Sequence, residues 1–413
     1  MNQRARIVTA LAVTALLLTA CSDDETTTVT TSNTISNTIS NTTSNTTVIS
    51  TASGDTTAPG AATTATDNAD NAPGKVEAGL AFPTDRCAAN EAAGTINYYT
   101  GFDFAAAASI VEVLVADAAG YYDDLCLDVV ITPSFSTANY PLVAEGDVQF
   151  SSAGSFSEVA KFSAANEAEL VALSVDGHVA IDSLIVKPDE ASSLADLAGS
   201  TIGIKGALPS AVAAMLAGEG LTEGTDFETV LLDGFDPVAH MAVDTIVGMP
   251  GWKSNEPGAL ERAGVPFDLY DPAEFGVPGS FGIIYTSQAF LNEHPSAVED
   301  FMRATMRGLD DAIADPAAAA AVAVELINGN GNPSFLSQEG ETFRWQTDAD
   351  LITETTPAGM FPGMISAEQL VAEVAAYDAV GVYPDGPPPT EGRFDADLVA
   401  GLYSNDGKVI WPS

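Results

Sequence analysis

The 413-residue sequence is poor in basic residues, histidine and cysteine, and each shortage excludes a class of function. Lysine and arginine number 14 against 57 aspartates and glutamates, which gives a formal net charge of −43 at pH 7. A chain this acidic repels nucleic acids, so we expect no nucleic-acid partner. We attribute the acidity to a saline habitat, where carboxylates stay hydrated and screened, rather than to cation binding.

Histidines and cysteines are too few and too scattered for a metal centre. No CxxC pair occurs, and His178, His240 and His294 lie far apart, so we predict neither a metal nor a cofactor. The nucleophile motif GxSxG, the metalloprotease motif HExxH and the Walker loop are missing as well. We therefore predict that the protein is not an enzyme.

Long apolar runs are missing after the first 20 residues, which argues against a membrane-spanning helix further along the chain. At the start, Arg4 and Arg6 precede an uncharged apolar stretch over 7–18, and small residues then lead into Cys21. This order is typical of a lipoprotein signal peptide over residues 1–20. Cys21 would then carry the lipid and anchor a bacterial protein to the outer face of the cell membrane. An ordinary signal peptide or helix with an incidental cysteine is the alternative.

Residues 21–90 are predicted to be a disordered tether between the lipid and a folded body. Up to about residue 71 they are mostly Thr, Ser, Asn, Asp and Ala, with no aromatic residue. Such a composition cannot bury enough apolar surface to offset the entropy of ordering the chain. A short β-solenoid built on the repeat SNTI is the alternative, but the repeat is brief.

Two cysteines remain once Cys21 is assigned to the lipid. In the oxidising space outside a cell, Cys87 and Cys126 are candidates for a disulfide that closes a loop of roughly 40 residues. Two buried free thiols are the alternative that the sequence leaves open.

From about residue 95, short β-type runs alternate with alanine-rich helical stretches. The first strand is predicted over Thr95–Tyr99 and the next helix over 104–119. This alternation indicates an α/β fold with mostly parallel sheets, in which ligands bind where strands end and helices begin. After residue 286 the pattern becomes largely helical, and a proline-rich stretch follows near residue 385.

Aromatic and acidic side chains follow the first predicted strand. Tyr99, Phe102 and Asp103 offer ring faces for stacking and one carboxylate to a ligand. Ordinary core packing of the rings is the alternative. Alternation along the strand allows only some of these side chains to face a cleft.

Serines begin two of the predicted helices. Ser152 and Ser155 follow a strand and precede a helix, and Ser210 has the same position further along the chain. Their hydroxyl groups, together with the unpaired N–H groups of a helix start, could hold a polar group of a ligand. Plain capping of the helix by serine is the alternative.

The segment after a further predicted strand combines an indole, an amide and a carboxylate. We expect at least one of Trp252, Asn255 and Glu256 to contact the ligand. Two other roles remain open, because Asn255 could cap the following helix and Glu256 could favour its N-terminus.

Four segments between residues 95 and 326 carry a resemblance as an ordered set. They are ADAAGYY at 116–122 leading into LDV at 127–129, GSTIGIKG at 199–206, GFDPV at 234–238 with SNEP at 254–257, and AFL at 289–291 with HP at 294–295. This set resembles the solute-binding proteins of ABC importers. More narrowly, it resembles the branch that covers nitrate, sulfonate and thiamine-pyrimidine-precursor binding proteins.

The resemblance implies a two-lobed fold of the periplasmic-binding-protein type II. Mostly parallel sheets would be joined by crossover strands, with a helical C-terminal part. Lobe one would comprise residues 91–182 and 283–413, and lobe two residues 183–282. A small solute would be enclosed between the lobes of a monomer, which would then dock on an ABC permease driven by its ATPase subunits.

The residues near the predicted site favour one class of solute. Few basic side chains lie near these loops beyond Lys205 and Lys253, whereas aromatic and carboxylate groups are plentiful. We therefore expect a nitrogen heterocycle, such as a thiamine pyrimidine precursor or riboflavin. A nitrate- or sulfonate-binding protein of the same family is one alternative, and a tethered ligand sensor for a membrane receptor is another.

Overall fold

The structure is a computed structural model that describes residues 73–331 and 337–413. The predicted signal peptide 1–20, Cys21 and the first part of the predicted tether lie outside the described residues. The tether boundary at residue 90 is wrong, because helix α1 begins at Thr84. The Arg86 side chain on this helix is buried and donates from Nε to Oδ2 of Asp300 at 2.6 Å, which holds the helix on the folded body.

The first sheet has the strand order β2-β1-β3-β10-β4. Its strands are β1 (Thr95–Tyr99), β2 (Asp128–Thr132), β3 (Phe150–Ala153), β4 (Leu170–Gly177) and β10 (Phe281–Ser287). β1 pairs in parallel with β2 and β3, whereas β10 runs antiparallel to both of its neighbours. Four of the five strands therefore point the same way.

The second sheet repeats this arrangement, with the order β7-β6-β8-β5-β9. Its strands are β5 (Asp182–Val186), β6 (Thr201–Ile204), β7 (Glu228–Leu231), β8 (Gly248–Trp252) and β9 (Asp268–Tyr270). Here β5 is the strand that runs antiparallel to its neighbours. The two sheets confirm the predicted two-lobed α/β fold, and we call each sheet with its helices the first and the second lobe.

Helices cover both sheets and are more numerous in the first lobe. Those of the first lobe are α1 (Thr84–Ala92), α2 (Val111–Ala118), α3 (Tyr121–Asp124), α4 (Ser136–Glu145), α5 (Phe156–Asn166), α9 (Gln288–Glu293), α10 (Pro295–Ala314), α11 (Pro316–Asn330), α12 (Gln338–Thr355), α13 (Ala367–Ala379) and α14 (Ala396–Ala400). Those of the second are α6 (Ser210–Gly218), α7 (Pro237–Met241) and α8 (Glu256–Ala263). Among the described residues no single helix meets the length and hydropathy of a membrane span; α10 and α11 do so only together, as a pair bent by 116°.

The first sheet is buried on both faces. On one face, Phe150 stacks on Phe301 of α10 with ring centroids 4.0 Å apart, within a core that also contains α2 and α11. On the other face, Tyr285 of β10 stacks on Tyr140 of α4 at 5.4 Å, beside α5 and α13. Burial on both faces explains the nearly continuous apolar character of β4 and β10.

Cys87 and Cys126 form a disulfide, which is one of the two predicted alternatives. The bond joins α1 to a residue two positions before β2. Cys126 has a φ of 58°, and β2 begins only after it, at Asp128.

The alanine-rich stretch 104–119, predicted as one helix, is helical only from Val111. Asp103 and Ser109 have φ angles of 46° and 63°, which a right-handed helix cannot contain. Residues 105–110 form a buried, non-helical segment that we call the alanine wall. High helix propensity is overridden here because tertiary hydrogen bonds, given below, hold the backbone in another shape.

Two crossover segments, 178–181 and 271–280, connect the lobes. They leave the first sheet at neighbouring positions, because Gly177 and Phe281 are register partners in the β4–β10 pair. Gly177 must lack a side chain, since a Cβ there would lie 1.7 Å from the Phe281 ring. Gln369 of α13 ties the segments together by donating from Nε2 to the carbonyl oxygen of His178 and, at 2.8 Å, to that of Gly279.

Candidate functional site

A cleft of about 370 Å³ lies between the two lobes. Its wall is built from the loops after β1 and β3, the end of β8, the residues before α6 and one face of α12. Strand ends and helix starts leave backbone groups unpaired at such an edge, which makes it the usual ligand site of an α/β sheet. The volume lies at the lower end of the range for cavities that hold a small organic molecule.

Aromatic rings meet across the opening of this cleft. The ring of Phe102 lies edge-to-face with Phe135 of the first lobe at 5.7 Å and with Phe235 of the second lobe at 6.2 Å. Phe135 is 52% exposed and Phe235 is 45% exposed, so both rings face solvent at the rim. Together with the half-buried Trp252, these rings provide apolar faces against which a planar ligand can stack.

Glu256, the first residue of α8, is paired within its own lobe. Its Oε1 accepts a hydrogen bond from Lys205 Nζ at 2.5 Å, and its Oε2 accepts from the Trp252 backbone N–H at 2.8 Å. The Glu256 side chain is only 4% exposed, whereas that of Lys205 is 28% exposed. The pair therefore brings a neutralised cation, rather than free charge, to the cleft.

A second cation, Arg344 of α12, lies in the cleft wall and was missed by the sequence analysis. Its Nε donates to Glu341 Oε1 at 3.3 Å, and its Nη2 donates to Asn255 Oδ1 at 2.8 Å. Asn255 occupies the N-cap position of α8 but makes no side-chain capping bond, so that alternative role is excluded. Its side chain turns across the cleft instead.

Two carboxylates of the cleft wall have no basic side chain bound to them among residues 73–331 and 337–413. Asp182 opens β5, and burial, followed by the nearby charge of Glu158, raises its pKa to about 7. Desolvation by the surrounding protein also raises the pKa of Glu158, against the lowering effect of a hydrogen bond from the Tyr140 hydroxyl at 3.2 Å. Glu158 is an exposed residue of the cleft wall. A ligand that donates hydrogen bonds or carries positive charge would stabilise the charged form of both carboxylates.

The alanine wall, which lines the cleft at residues 107–110, is held by buried carboxylates. Three backbone N–H groups donate to them: Ala106 to Glu341 Oε2 at 2.7 Å, Ala108 to Asp348 Oδ2 at 2.9 Å, and Ser109 to Asp176 Oδ2 at 2.6 Å. Burial raises the pKa of Asp176 to about 7 and that of Asp348 to about 6. The shape of this wall therefore depends on groups of β4 and α12, far away in sequence.

Five of the predicted site residues line the cleft. They are Phe102, Ser152, Trp252, Asn255 and Glu256. Ser152 is buried, and its Oγ accepts a hydrogen bond from the Gly101 backbone N–H at 2.6 Å, which fixes the turn after β1.

The other four predicted residues lie outside the cleft wall. Tyr99 packs against the core on the α4 and α5 side of the first sheet. The Asp103 carboxylate accepts from the Phe104 backbone N–H at 2.8 Å, and the Ser155 hydroxyl lies 2.9 Å from that of Ser157. Ser210 is the first residue of α6 and does not line the cleft, whereas Pro209 before it does.

Two of the three histidines, His178 and His240, have structural partners. His178 Nδ1 lies 2.7 Å from Gln369 Oε1, and His240 Nε2 lies 2.8 Å from the Asp233 carbonyl oxygen. Within residues 73–331 and 337–413, no group of three His, Cys, Asp or Glu side chains is placed to hold a metal ion. Lys253, counted above as a basic group near the site, donates to Asp271 at 2.8 Å and does not line the cleft.

One curated relative is similar over part of the chain. The riboflavin-binding protein RibY of Chloroflexus aurantiacus is 32% identical over 139 residues, which make up 33% of this chain and 39% of that protein. The match therefore spans well under half the length of the relative.

Solved structures share the fold at low identity. The periplasmic sulfonate-binding protein SsuA of Methylobacillus flagellatus is 17% identical and superposes with a TM-score of 0.55, covering 74% of this chain and 93% of that one. A mutant of DszB, a desulfurization enzyme, in complex with biphenyl-2-sulfinic acid is 13% identical with a TM-score of 0.51, covering 74% and 98%. A shared fold therefore does not separate binding proteins from enzymes.

A family model describes the central part of the chain. The model for NMT1/THI5-like proteins matches residues 107–319, which include both sheets apart from β1. These residues hold the second lobe, both crossover segments and much of the cleft wall. The chain belongs to the NMT1/THI5-like family.

Proposed function

We propose that this protein is a lipid-anchored, extracytoplasmic solute-binding protein of an ABC importer. In this role the cleft captures a planar nitrogen heterocycle, and the closed protein delivers it to a membrane permease with its ATPase subunits. The body acts as a monomer and catalyses no reaction. The family, the two-lobed fold and the cleft between the lobes support this role.

One observation carries the choice of solute. Both basic residues of the cleft wall are already paired, Lys205 with Glu256 and Arg344 with Glu341, whereas Asp182 and Glu158 bind no basic side chain in the part of the chain that the structure describes. An anionic solute would need a free cation or several aimed N–H groups, while hydrogen-bond donors of a heterocycle suit the two carboxylates. The rim phenylalanines supply the stacking surface for the ring.

The relative named as riboflavin-binding supports a heterocycle but covers too little of the chain to carry the proposal. The sulfonate-binding neighbour supports the alternative, an anion held by Lys205 and by the helix start after Pro209. The two candidates therefore differ in the groups that bind the solute. A heterocycle would bind the carboxylates of Asp182 and Glu158, whereas an anion would bind Lys205 and the start of α6.

A panel of thermal-shift measurements on the full chain separates these solutes. The panel contains thiamine, hydroxymethylpyrimidine and its formylamino precursor, riboflavin, taurine, nitrate and bicarbonate. A ligand present at a hundred times its dissociation constant adds about 2.7 kcal/mol to the free energy of unfolding, which raises the melting temperature measurably. Stabilisation by taurine or nitrate alone would overturn the proposed heterocycle.

A charge-neutral variant then locates the site. We expect Asp182→Asn to weaken binding of the stabilising heterocycle by about tenfold or more, because a charge-assisted hydrogen bond is replaced by a neutral one. Asp268→Asn, on the exposed face of β9, is the matched control and keeps the affinity of the wild type. Equal affinity in both variants would place the solute elsewhere.

A further inference from the structure

Helix α12 is fixed to the first lobe by buried polar bonds. Trp345 Nε1 donates to the Ala312 carbonyl oxygen at 2.7 Å, and Asp348 Oδ2 accepts from the Ala108 backbone N–H at 2.9 Å. Trp345 is fully buried and Asp348 is 2% exposed. Any motion of the lobes relative to one another therefore carries α12 along with the first lobe.

The same helix also reaches the second lobe. The Phe343 ring lies against Gly258 of α8, where an added Cβ would stand 2.4 Å from the ring. Beside it, Arg344 Nη2 donates to Asn255 Oδ1 at 2.8 Å. Arg344 thus joins an element that belongs to one lobe to an acceptor that belongs to the other.

The guanidinium group is held in position on the first-lobe side. Glu341 Oε1 accepts from its Nε at 3.3 Å, and its Cζ lies 5.9 Å from the ring centroid of Phe102. The Arg344 side chain is 5% exposed. On the other side, Asn255 is available as an acceptor because its side chain takes no part in capping α8.

We propose that Arg344 and Asn255 form a latch that sets the fraction of closed protein before any ligand arrives. In the closed arrangement the hydrogen bond is shielded from water, and on opening both groups become hydrated. Arg344 is therefore a positioning residue that acts on the two lobes, and it comes from the helical C-terminal part rather than from the strand ends.

A consequence for affinity rests on the proposed function. If only closed protein holds the ligand fully, the apparent dissociation constant is the intrinsic constant divided by the closed fraction. A weaker latch therefore raises the apparent dissociation constant, because it lowers the closed fraction. The latch itself can be measured with no ligand present.

The test measures the distance between the lobes in the ligand-free full chain. Keto amino acids placed at Val130 on β2 and Leu231 on β7, which are 44% and 69% exposed, carry spin labels, so the cysteines stay untouched. We expect Asn255→Leu to lower the closed-to-open ratio by about tenfold, which is typical for loss of a hydrogen bond to a charged group. Asn255→Asp keeps the acceptor oxygen and is expected to retain the closed population.

Identical distance distributions in the wild type and Asn255→Leu would overturn the latch, as would an Asn255→Asp variant that opens like Asn255→Leu. Arg344→Lys is the second variant, because it keeps a charge beside Glu341 but lacks the second donor, and it is expected to open as well. Circular dichroism checks that each variant is folded. Since no solute is used, failure of the latch and failure of the solute panel are separate results.

Discussion

The two lobes have the same strand order but very different surroundings. Both sheets lie between two cores, but eleven of the described α-helices pack in the first lobe and only three in the second. In the second lobe the edge strand β7 leaves Leu231 69% exposed. The same strand order thus occurs in a first lobe covered by many helices and in a second lobe covered by few. The stability of a lobe therefore depends on what packs against its sheet rather than on its strand order.

The largest expected effect comes from removing the disulfide, which belongs to the first lobe alone. Replacing Cys87 and Cys126 with serine is expected to lower the free energy of unfolding by about 4 kcal/mol, given a separation of 39 residues. Urea unfolding measures the loss, and hydrogen exchange locates it in β1 and β2. Equal loss of protection in β5 and β6 would show that the lobes unfold as one unit.

Acidity should affect the first lobe more strongly than the second, in which burial also raises the pKa of Asp182 on β5 to about 7. Burial raises the pKa of Asp176 and Glu373 to about 7, and that of Asp348 to about 6, all in the first lobe. Because these folded-state values lie above the unfolded value near 4, the folded state binds protons first, and stability rises as the pH falls from about 7 towards 4. The gain approaches about 1.4 kcal/mol per pH unit for each fully titrating group.

Thermal unfolding between pH 8 and pH 5 checks this slope. Asp176→Asn removes one titrating group while keeping an acceptor for Ser109, so its slope should be shallower than that of the wild type. The exposed Asp268→Asn variant in the second lobe serves as the control. A slope unchanged by Asp176→Asn would contradict the assignment.

The smallest effect concerns the connection between the lobes. Gln369→Leu removes the donor that joins the His178 and Gly279 carbonyl groups and also the partner of His178 Nδ1, and we expect a loss of about 1 kcal/mol per hydrogen bond. Amides of the crossover segment 178–181 should exchange faster, while those of β4 and β6 stay protected. Gln346→Leu, at an exposed position of α12, should leave both unchanged.

Local pattern was enough to predict much of the fold. The bounds of Thr95–Tyr99 agree with the sequence prediction, because a short run of β-branched and aromatic residues lies between clear turn signals. The three-residue strand β9 was missed because it is too short for any periodicity to show. The stretch 104–119 was misread because carboxylates from β4 and α12 override the helix propensity of alanine.

The site was predictable only where it lies at the ends of strands. Trp252 and Glu256 were found because they lie at and just after the end of β8, and Phe102 because it follows β1. Arg344 is 89 residues from Asn255, and no local signal links the two. The sequence signal in α12 is weak: Arg344 and Asp348 lie four residues apart beside Trp345, a spacing that places both on one face of a helix.

The neighbouring positions of Gly177 and Phe281 bear on how this fold can evolve. The second lobe leaves and rejoins the first sheet at a single pair of facing residues, so a short hairpin turn could stand in its place without any strand of that sheet changing partners. Recombination at this one point would exchange a whole lobe as a cassette. New ligand preferences could then be acquired by substituting half of the binding surface while the other half stays as it is.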